Sequence, residues 1–453
     1  MSGAAGADGA RAKARRAPAK RTGTQVTGLR AAIGRAAIAL GVWLRRPLTS
    51  LHLILGVFGL LTLFGLVMVL SASSVVAYVA DNSSYSVFAK QLMFCVPGVI
   101  MFWIGLRIPP KTLRSLAPVT MVIGIGLLVA VLLIGEVRGG SKAWFAIGGF
   151  TLQPSEGVKV ALTLWGAHVL AARRAVMHRW KYALSPVVPV TALLFLLLLL
   201  QPDLGMTISL GIVLIALLYY AGTPMRLLLT LAGGAVAGAI TLALTASYRS
   251  ARITAFLNPD SPEALKSIYQ SNQGLYSLAA GGLFGQGLGQ GRGKWKYVPN
   301  VHNDFIFAVI GEELGFIGAF AVLALFAALA YTGLRIAARN TDPWLKIVVA
   351  TSTTWLVAQA AINIGYVVGL LPVTGLQLPL ISSGGSSLVV TMFVFGVLTN
   401  AARHEPEAIA ALRQHGQGRI AKMLLLPPPQ PYKPVATASV PVPRKPPQRG
   451  RAR

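Results

Sequence analysis

The sequence predicts an all-α polytopic membrane protein with ten transmembrane helices and one long extracellular loop between helices 7 and 8. Of its 453 residues, 54% are hydrophobic and only 12% are charged, whereas soluble globular proteins carry about 25% charged residues. Ten apolar segments have roughly the 20-residue length that a helix needs to cross a bilayer. The single cysteine, Cys95, lies in one of these segments, which excludes an intramolecular disulfide and a cysteine metal cluster.

Short connections separate several of the predicted helices. Pro202 and Gly205 interrupt the chain between spans 5 and 6, and Gly222 and Pro224 do so between spans 6 and 7. The ten predicted spans are 51–72, 88–106, 117–135, 155–172, 184–200, 205–221, 226–245, 305–334, 347–370 and 385–402.

The distribution of charge predicts the orientation. An even number of spans puts both termini on one side, and that side is cytoplasmic when it holds most of the Lys and Arg. The two tails and the inner loops together hold 31 of the 41 basic residues. The net charge of +28 therefore indicates tails beside anionic lipid, and we expect no nucleic-acid partner.

Composition divides the chain into three regions. Residues 1–46 are predicted to be a basic, disordered cytoplasmic tail without the apolar stretch of a cleavable signal peptide. Residues 47–402 form the membrane domain. Residues 403–453 are predicted to be a second basic, disordered cytoplasmic tail, because nine prolines lie between Pro427 and Pro447.

Residues 246–304 are predicted to form the large extracellular loop. Loops of this length are usually functional or disordered, and this one carries six of the eight outer basic residues and a run of glycines. Glycines permit close backbone approach to a ligand, and the cations could bind a phosphate. A flexible loop with a solvated basic surface is the alternative. The candidate phosphate ligands are Arg249, Arg252, Lys294 and Lys296.

Ionisable residues at membrane depth are costly and are therefore candidates for function. Asp304 begins span 8 at its outer end, where the helix dipole stabilises a carboxylate. It is either a helix cap or a general base acting on a lipid-linked substrate at the outer surface. Glu312 and Glu313 lie about two turns deeper. They either join helices as polar contacts or shape the cavity below Asp304.

Two further acids, Glu156 and Asp203, are predicted to interact with residues close to them in the sequence. Glu156 and Lys159 are spaced i,i+3 at the start of span 4 and share a helix face. This spacing predicts a local ion pair that neutralises two buried charges, with the lining of a polar cavity as the alternative. Asp203 lies in a tight outer turn and is predicted to cap the following helix.

The segment Ser382–Ser387, which contains Ser386, follows Leu371–Gly375. Non-helical backbone at this depth needs a protein or water environment. The sequence therefore predicts a re-entrant or broken segment that lines the outer cavity, with close packing of small residues between helices as the alternative.

The sequence lacks the motifs of several other functional classes. The six histidines are scattered without metal-ligand spacing, and only His302 lies near Asp304. The chain contains neither a Gly-x-Ser-x-Gly element nor a P-loop, so a serine hydrolase and an ATP-driven pump are not expected.

Several segments together resemble the SEDS family (shape, elongation, division and sporulation). They run in family order over about residues 50–402, and the stretch Val67–Ser73 resembles the cell-division branch more than the elongation branch. The matching segments are Gly65–Ser73, Gly140–Trp144, Gln153–Glu156 with Lys159, Gln201–Gly205, Tyr269–Gln270 with Gly281–Gly289, His302–Ala308, Gly311–Gly315 and Leu371–Ser387.

The resemblance implies a ten-helix glycosyltransferase that polymerises lipid II into glycan strands at the division septum. Its implied partners are a cognate class B penicillin-binding protein (FtsI type) and other divisome proteins. The essential aspartate of the family falls on Asp304, which would act as the base while loop cations stabilise the departing lipid pyrophosphate. The candidate substrate contacts besides the four loop cations are Lys142, Glu156, Lys159, His302, Glu312 and Ser386.

No cofactor is established by the sequence. A divalent cation, Mg²⁺ or Mn²⁺, could share the pyrophosphate, but the chain shows no dedicated cage for one. Lys142, Asn300, Asn303 and Ser383 replace the residues that are usual or frequent in the family, which leaves detailed substrate contacts open more than the reaction. The alternatives are a lipid II flippase, an elongation-branch polymerase, and a divisome scaffold whose tails recruit cytoplasmic partners.

Overall fold

The structure is a computed structural model that describes residues 34–35, 38–39, 41–44, 46–81, 83–148, 150–177, 180–245, 265–291, 303–416 and 418–432. The chain divides into two compact units, Met1–Thr49 and Ser50–Arg453. In the first unit, residues 41–44 are helical. There the Thr49 hydroxyl donates a hydrogen bond of 2.8 Å to the carbonyl oxygen of Trp43.

The remainder of the described chain is mostly helical. The helices are α1 (Thr49–Asp81), α2 (Ser86–Arg107), α3 (Pro110–Ile134), α4 (Pro154–Ala172), α5 (Trp180–Leu184), α6 (Val187–Leu200), α7 (Leu204–Tyr220), α8 (Met225–Thr245), α9 (Leu265–Gly281), α10 (Ile306–Arg339), α11 (Pro343–Val367), α12 (Gly385–Arg403), α13 (Pro406–His415) and α14 (Arg419–Met423). A short 3₁₀ helix, Arg174–Val176, follows α4.

Each predicted span overlaps a long helix, namely α1 to α4, α6 to α8 and α10 to α12, and the span 184–200 also includes the last residue of α5. Six of these helices, α1 to α3 and α10 to α12, are long and apolar enough to cross a membrane. Helices α6 and α7 are apolar but shorter. The described helices therefore indicate a multi-pass membrane protein with a mainly α-helical fold.

Two helix starts are determined by carboxylate caps. The Asp203 Oδ1 atom accepts a hydrogen bond of 3.0 Å from the backbone N–H of Met206 at the start of α7, which confirms the predicted cap. The Asp342 Oδ1 atom accepts an equivalent bond of 3.0 Å from the N–H of Trp344 at the start of α11. Each satisfies a donor that the first helical turn leaves without an intrahelical partner.

Helices α11 and α12 are the most deeply buried of the six membrane-length helices. Helix α11 packs against α4, α7 and α10, while α12 packs mainly against α2. Glycines bring α2 and α12 together: a Cβ atom at Gly396 would lie only 2.2 Å from the carbonyl oxygen of Phe102. Small residues at such interfaces are what allow membrane helices to approach closely.

Helix α10 is broken near its N-terminal end. Gly315 has φ 67° and ψ −165° inside the helix, a left-handed conformation that glycine adopts without steric cost. A Cβ atom there would lie 2.3 Å from the backbone nitrogen of Gly285. The chain that follows α9 packs against this break. Its residues Gln286 and Gly287 donate backbone hydrogen bonds of 3.0 Å to the carbonyl oxygens of Glu312 and Glu313.

The prediction of an all-α fold is wrong for residues 136–152. Strands β1 (Glu136–Arg138), β2 (Ser141–Ile147) and β3 (Phe150–Leu152) form a small antiparallel sheet in the order β1-β2-β3. Val137 pairs with Lys142, and Phe145 pairs with Leu152. Gly139 and Gly140 both have positive φ, 58° and 83°, as the favoured two-residue hairpin turn requires. This Gly-Gly pair was a hairpin signal in the sequence.

Two further regions differ from the prediction. The long loop 246–304 contains a helix, α9, which packs against α10. The tail 403–453 is not disordered throughout, because α13 and α14 lie within its first part. Helices α13 and α14 have short or polar sequences, so the length of apolar segments alone did not reveal them.

Candidate functional site

Asp304 lies in the turn that precedes α10. The N-cap residue of this helix is Phe305, and Asp304 lies one residue before it. The choice between a helix cap and a general base stays a prediction. The Asp304 side chain is half-buried. A Cβ atom at Gly375 would lie 3.9 Å from Asp304 Oδ2, which places the carboxylate beside the chain that joins α11 to α12.

The backbone of Asp304 is held by two buried side chains of α11. The Asn363 amide nitrogen and the Tyr366 hydroxyl each lie 3.0 Å from the Asp304 carbonyl oxygen. The same two groups each lie 2.7 Å from the carbonyl oxygen of Leu376. The Asn363 amide has two hydrogens to donate, whereas the Tyr366 hydroxyl has one. Together they connect the turn of Asp304 to the chain between α11 and α12.

That connecting chain is irregular up to Gly384, as predicted for the start of the segment Ser382–Ser387, whereas the last three residues of that segment belong to α12. The lining of an outer cavity stays a prediction. Residues 368–384 contain no helix, and Leu378, Ile381 and Ser382 are buried. The Ser382 hydroxyl donates a hydrogen bond of 2.7 Å to the carbonyl oxygen of Asn303 and accepts one of 2.9 Å from the N–H of Leu378. The hydrogen-bonding groups of this buried, irregular backbone are thus satisfied by other protein groups.

Glu156 and Lys159 form the predicted ion pair. The Lys159 Nζ atom lies 3.0 Å from Glu156 Oε2, and the two side chains are only 1% and 5% exposed, respectively. Lys159 also donates to the amide oxygen of Gln359 at 3.3 Å and lies 4.7 Å from the centre of the Trp355 ring. A charge buried to this degree needs such partners to offset its lost hydration.

Gln359 continues this network toward Asp304. Its amide nitrogen donates a hydrogen bond of 2.8 Å to the carbonyl oxygen of Gln377, next to Leu376. Sequence reasoning missed Gln359, Asn363 and Tyr366. The available signal was their spacing, i, i+4 and i+7, which puts three polar groups on one face of a membrane-length helix.

Asp203 and Ser386 are both hydrogen-bonded to Gln153. The Gln153 side-chain amide donates to Asp203 Oδ2 at 3.0 Å, and its backbone N–H donates to Ser386 Oγ at 3.2 Å. Burial raises the pKa of the Asp203 carboxyl, while hydrogen bonds from Met206 and Gln153 oppose that rise. Gln153 thereby joins the starts of α4, α7 and α12. The proposed contact of Ser386 with substrate stays a prediction.

Glu312 and Glu313 are buried, with 2% and 0% of their surfaces exposed. The Ser71 hydroxyl of α1 donates to Glu313 Oε2 and accepts a hydrogen bond of 3.1 Å from the N–H of Gly289. A Cβ atom at Gly291 would lie 3.1 Å from Glu312 Oε2. Glu313 therefore joins α1 to α10, which is the polar-contact role that the sequence left as one of two alternatives.

Of the remaining predicted site residues, only Lys142 lies within the described part of the chain. Lys142 lies on β2, and its Nζ atom donates to the carbonyl oxygen of Leu133 at 3.1 Å. The four predicted phosphate ligands and the histidine near Asp304 lie outside the described residues: Arg249, Arg252, Lys294, Lys296 and His302. Within the described residues, no cluster of three or more His, Cys, Asp or Glu could hold a metal ion.

Comparison with known proteins identifies the family. Residues 51–407 match the FtsW/RodA/SpoVE family model, described as "Cell cycle protein". A "Probable peptidoglycan glycosyltransferase FtsW" of Mycobacterium tuberculosis is 50% identical over 396 residues, which cover 87% of this chain and 75% of the relative. Stage V sporulation protein E of Bacillus subtilis is 39% identical over 360 residues, covering 79% and 98%.

Solved structures share the fold. The crystal structure of Thermus thermophilus rod shape determining protein RodA aligns with a TM-score of 0.59 and 26% identity, covering 80% of this chain and 99% of that one. A chain from a peptidoglycan synthase complex, studied for its coordination of polymerization and crosslinking, aligns with a TM-score of 0.64 and 25% identity, covering 80% and 99%. The chain therefore belongs to the FtsW/RodA/SpoVE family of cell cycle proteins.

Proposed function

We propose that this protein is a peptidoglycan glycosyltransferase of the cell-division branch that polymerises lipid II into glycan strands. Relatives up to 50% identical carry the name peptidoglycan glycosyltransferase FtsW, and their matches extend over most of this chain. The proposal includes ten membrane spans, cytoplasmic termini and enrichment at the septum. The charge distribution supports the orientation, because most of the basic residues lie in the tails and inner loops.

The position of Asp304 is the observation that carries the proposal. Its carboxylate is half-buried at the outer end of a membrane-length helix, and two buried side chains of α11 hold its backbone. A base must be held in reach of the proton it removes. This arrangement fixes the main chain while leaving the side chain partly accessible, as a base for a substrate at the outer membrane surface requires.

In the proposed reaction, the 4-hydroxyl of the glucosaminyl unit of one lipid II attacks the anomeric carbon of the growing strand. Asp304 takes the hydroxyl proton as the new carbon–oxygen bond forms. The bond between the anomeric carbon and the pyrophosphate oxygen breaks, and the lipid pyrophosphate leaves with both bonding electrons. One displacement without a covalent enzyme intermediate inverts the anomeric configuration.

The leaving pyrophosphate needs positive charge beside it. Arg249, Arg252, Lys294 and Lys296 of the large extracellular loop are our proposed ligands. Mg²⁺ or Mn²⁺ is the alternative source of that charge. A class B penicillin-binding protein is the proposed partner, in line with the similarity to a chain of a peptidoglycan synthase complex that coordinates polymerization with crosslinking.

Polymerisation of labelled lipid II tests the proposal. The purified protein is assayed with its cognate penicillin-binding protein, whose transpeptidase site is blocked. Wild type and Glu136→Gln should produce long strands, because Glu136 is an exposed extracellular carboxylate paired only with exposed Arg138 among the described residues. Asp304→Ala and Asp304→Asn, at equal expression and folding, should produce none.

Two results would overturn parts of this proposal. Strands from both Asp304 variants would remove Asp304 as the base. Absence of strands from every version, with lipid II crossing protein-containing vesicles, would favour a flippase. The buried network of Glu156, Lys159 and Gln359 argues against a flippase, since with the proposed orientation it lies in the outer half of α4 and α11 rather than along the whole membrane depth.

A further inference from the structure

The C-terminal segment, residues 419–432, is attached to the ends of two membrane-length helices. The Trp103 indole N–H, in the last turn of α2, donates a hydrogen bond of 2.9 Å to the carbonyl oxygen of Leu424. Arg403, the last residue of α12, donates one of 2.9 Å to the carbonyl oxygen of Pro427. Two side chains from different helices thus hold adjacent parts of the segment.

The segment places a leucine where the backbone favours glycine. Helix α14 closes with hydrogen bonds from Leu425 N–H to Lys422 and from Leu426 N–H to Ala421, at 3.1 and 3.0 Å. This pattern requires a left-handed residue, usually glycine, after the helix. Leu425 occupies that position with φ 52°, although its side chain is 65% exposed. Packing of the Leu425 side chain within the described protein therefore does little to offset the energetic cost of its strained backbone.

Leu425 lies at an apolar groove beside the end of α2. The groove is lined by Trp103, Ile104, Arg107, Ile108, Pro109, Leu425 and Pro427. The Arg107 guanidinium lies 4.9 Å from the centre of the Trp103 ring. Met423, two residues before Leu425, is 76% exposed. Apolar surface, an indole and a cation therefore meet at the end of a membrane-length helix.

We propose that this groove binds an anionic phospholipid of the cytoplasmic leaflet. Tryptophan and basic residues favour the membrane–water interface, and juxtamembrane cations attract anionic lipid. Leu425 and Ile104 contact an acyl chain, Arg107 pairs with the headgroup phosphate, and exposed Arg419 and Lys422 add attraction. The lipid environment explains why an exposed leucine is kept in a strained backbone. The leaflet assignment rests on the orientation proposed above.

Lipid-borne quenching tests the groove directly. In a Cys95→Ala background, Leu425→Cys and Gln414→Cys are labelled with an environment-sensitive fluorophore, and the full chain is placed in vesicles of phosphatidylglycerol or phosphatidylcholine. Gln414 is an exposed residue of α13 and serves as the matched control. We expect quencher-bearing lipid to quench the label at 425 and not the label at 414, more strongly with phosphatidylglycerol. Equal access of aqueous iodide to both labels would refute the groove.

Bound lipid is counted independently by native mass spectrometry. Lys422→Gln should lower the preference for phosphatidylglycerol about fivefold, the equivalent of about 1 kcal/mol per basic residue near an anionic surface. Leu425→Gly should lose bound lipid without misfolding, because glycine suits the left-handed backbone. Unchanged lipid counts in both variants would overturn the proposal, as would protection of position 425 only in cell membranes, which would indicate a protein partner.

The side of the membrane is measured separately. A membrane-impermeant thiol reagent applied to spheroplasts reports whether position 414 faces outward. Labelling at 414 from outside would overturn the proposed orientation and the cytoplasmic leaflet, while quenching at 425 would still establish lipid binding. Failure of the topology and failure of the groove are therefore distinguishable.

Discussion

The hydroxyl of Tyr366 lies 3.0 Å from the backbone carbonyl oxygen of Asp304 and 2.7 Å from that of Leu376. This one group therefore contacts both the turn that carries the proposed base and the irregular chain between α11 and α12. Asn363 makes the same two contacts from one turn earlier on α11. Both contacts are to the backbone of Asp304, so the pair acts on the position of that residue.

Tyr366→Phe should lower kcat of polymerisation about fivefold with little change in KM, because the hydroxyl contributes about 1 kcal/mol of net hydrogen bonding to positioning and touches no substrate. The measurement is the initial rate of lipid II polymerisation as a function of substrate. Tyr220→Phe is the matched control, since Tyr220 bonds Thr354 at 2.9 Å on another face of α11. Equal losses in both variants would indicate a general packing effect.

Lys159→Met should destabilise the protein by about 3–5 kcal/mol, because it leaves the Glu156 carboxylate buried without its charge partner. The double variant Lys159→Met with Glu156→Gln should recover part of that loss. Unfolding in mild detergent, followed by far-UV circular dichroism, measures both. If the double variant is no more stable than Lys159→Met, the ion pair observed at 3.0 Å does not control stability.

Ser71→Ala should loosen the chain after α9, because the Ser71 hydroxyl connects Glu313 to the N–H of Gly289. Removing one hydrogen bond to the buried Glu313 carboxylate costs about 1–3 kcal/mol. Hydrogen exchange of residues 282–291 should therefore become faster. Ser74→Ala is the control on the same helix, since Ser74 bonds only the Ser71 carbonyl at 3.0 Å among the described contacts. Unchanged exchange in Ser71→Ala would contradict this role.

Asp203 should make stability fall as pH rises. Burial raises its pKa above the ordinary value of 3.8, so the folded protein binds the proton more tightly than the unfolded chain does. Stability is then greatest below the ordinary pKa and declines as pH rises through the folded pKa. Asp203→Asn preserves the capping acceptor and should remove that decline. Unfolding of both proteins across acidic to neutral pH measures the difference, and parallel curves would refute it.

Much of the helical framework was predictable from the sequence. Span positions depend on local hydrophobic length, and the caps and i,i+3 pairs depend on neighbours within a turn. Asp203 and the Glu156–Lys159 pair are local in this sense, and both predictions are confirmed. The small sheet was missed although Gly139 and Gly140 marked its hairpin, because its strands are short and the surrounding chain is strongly helical.

The sequence by itself determined where the apolar helices lie and marked Asp304 as the candidate base. Only the tertiary structure decided what surrounds it. Tyr366 meets Asp304 across 62 residues of chain, and Ser71 meets Glu313 across 242. Such pairs have no shared period or local spacing. They form because close helix packing brings distant polar groups together where water cannot satisfy them, so each must bond to whichever protein group lies within reach.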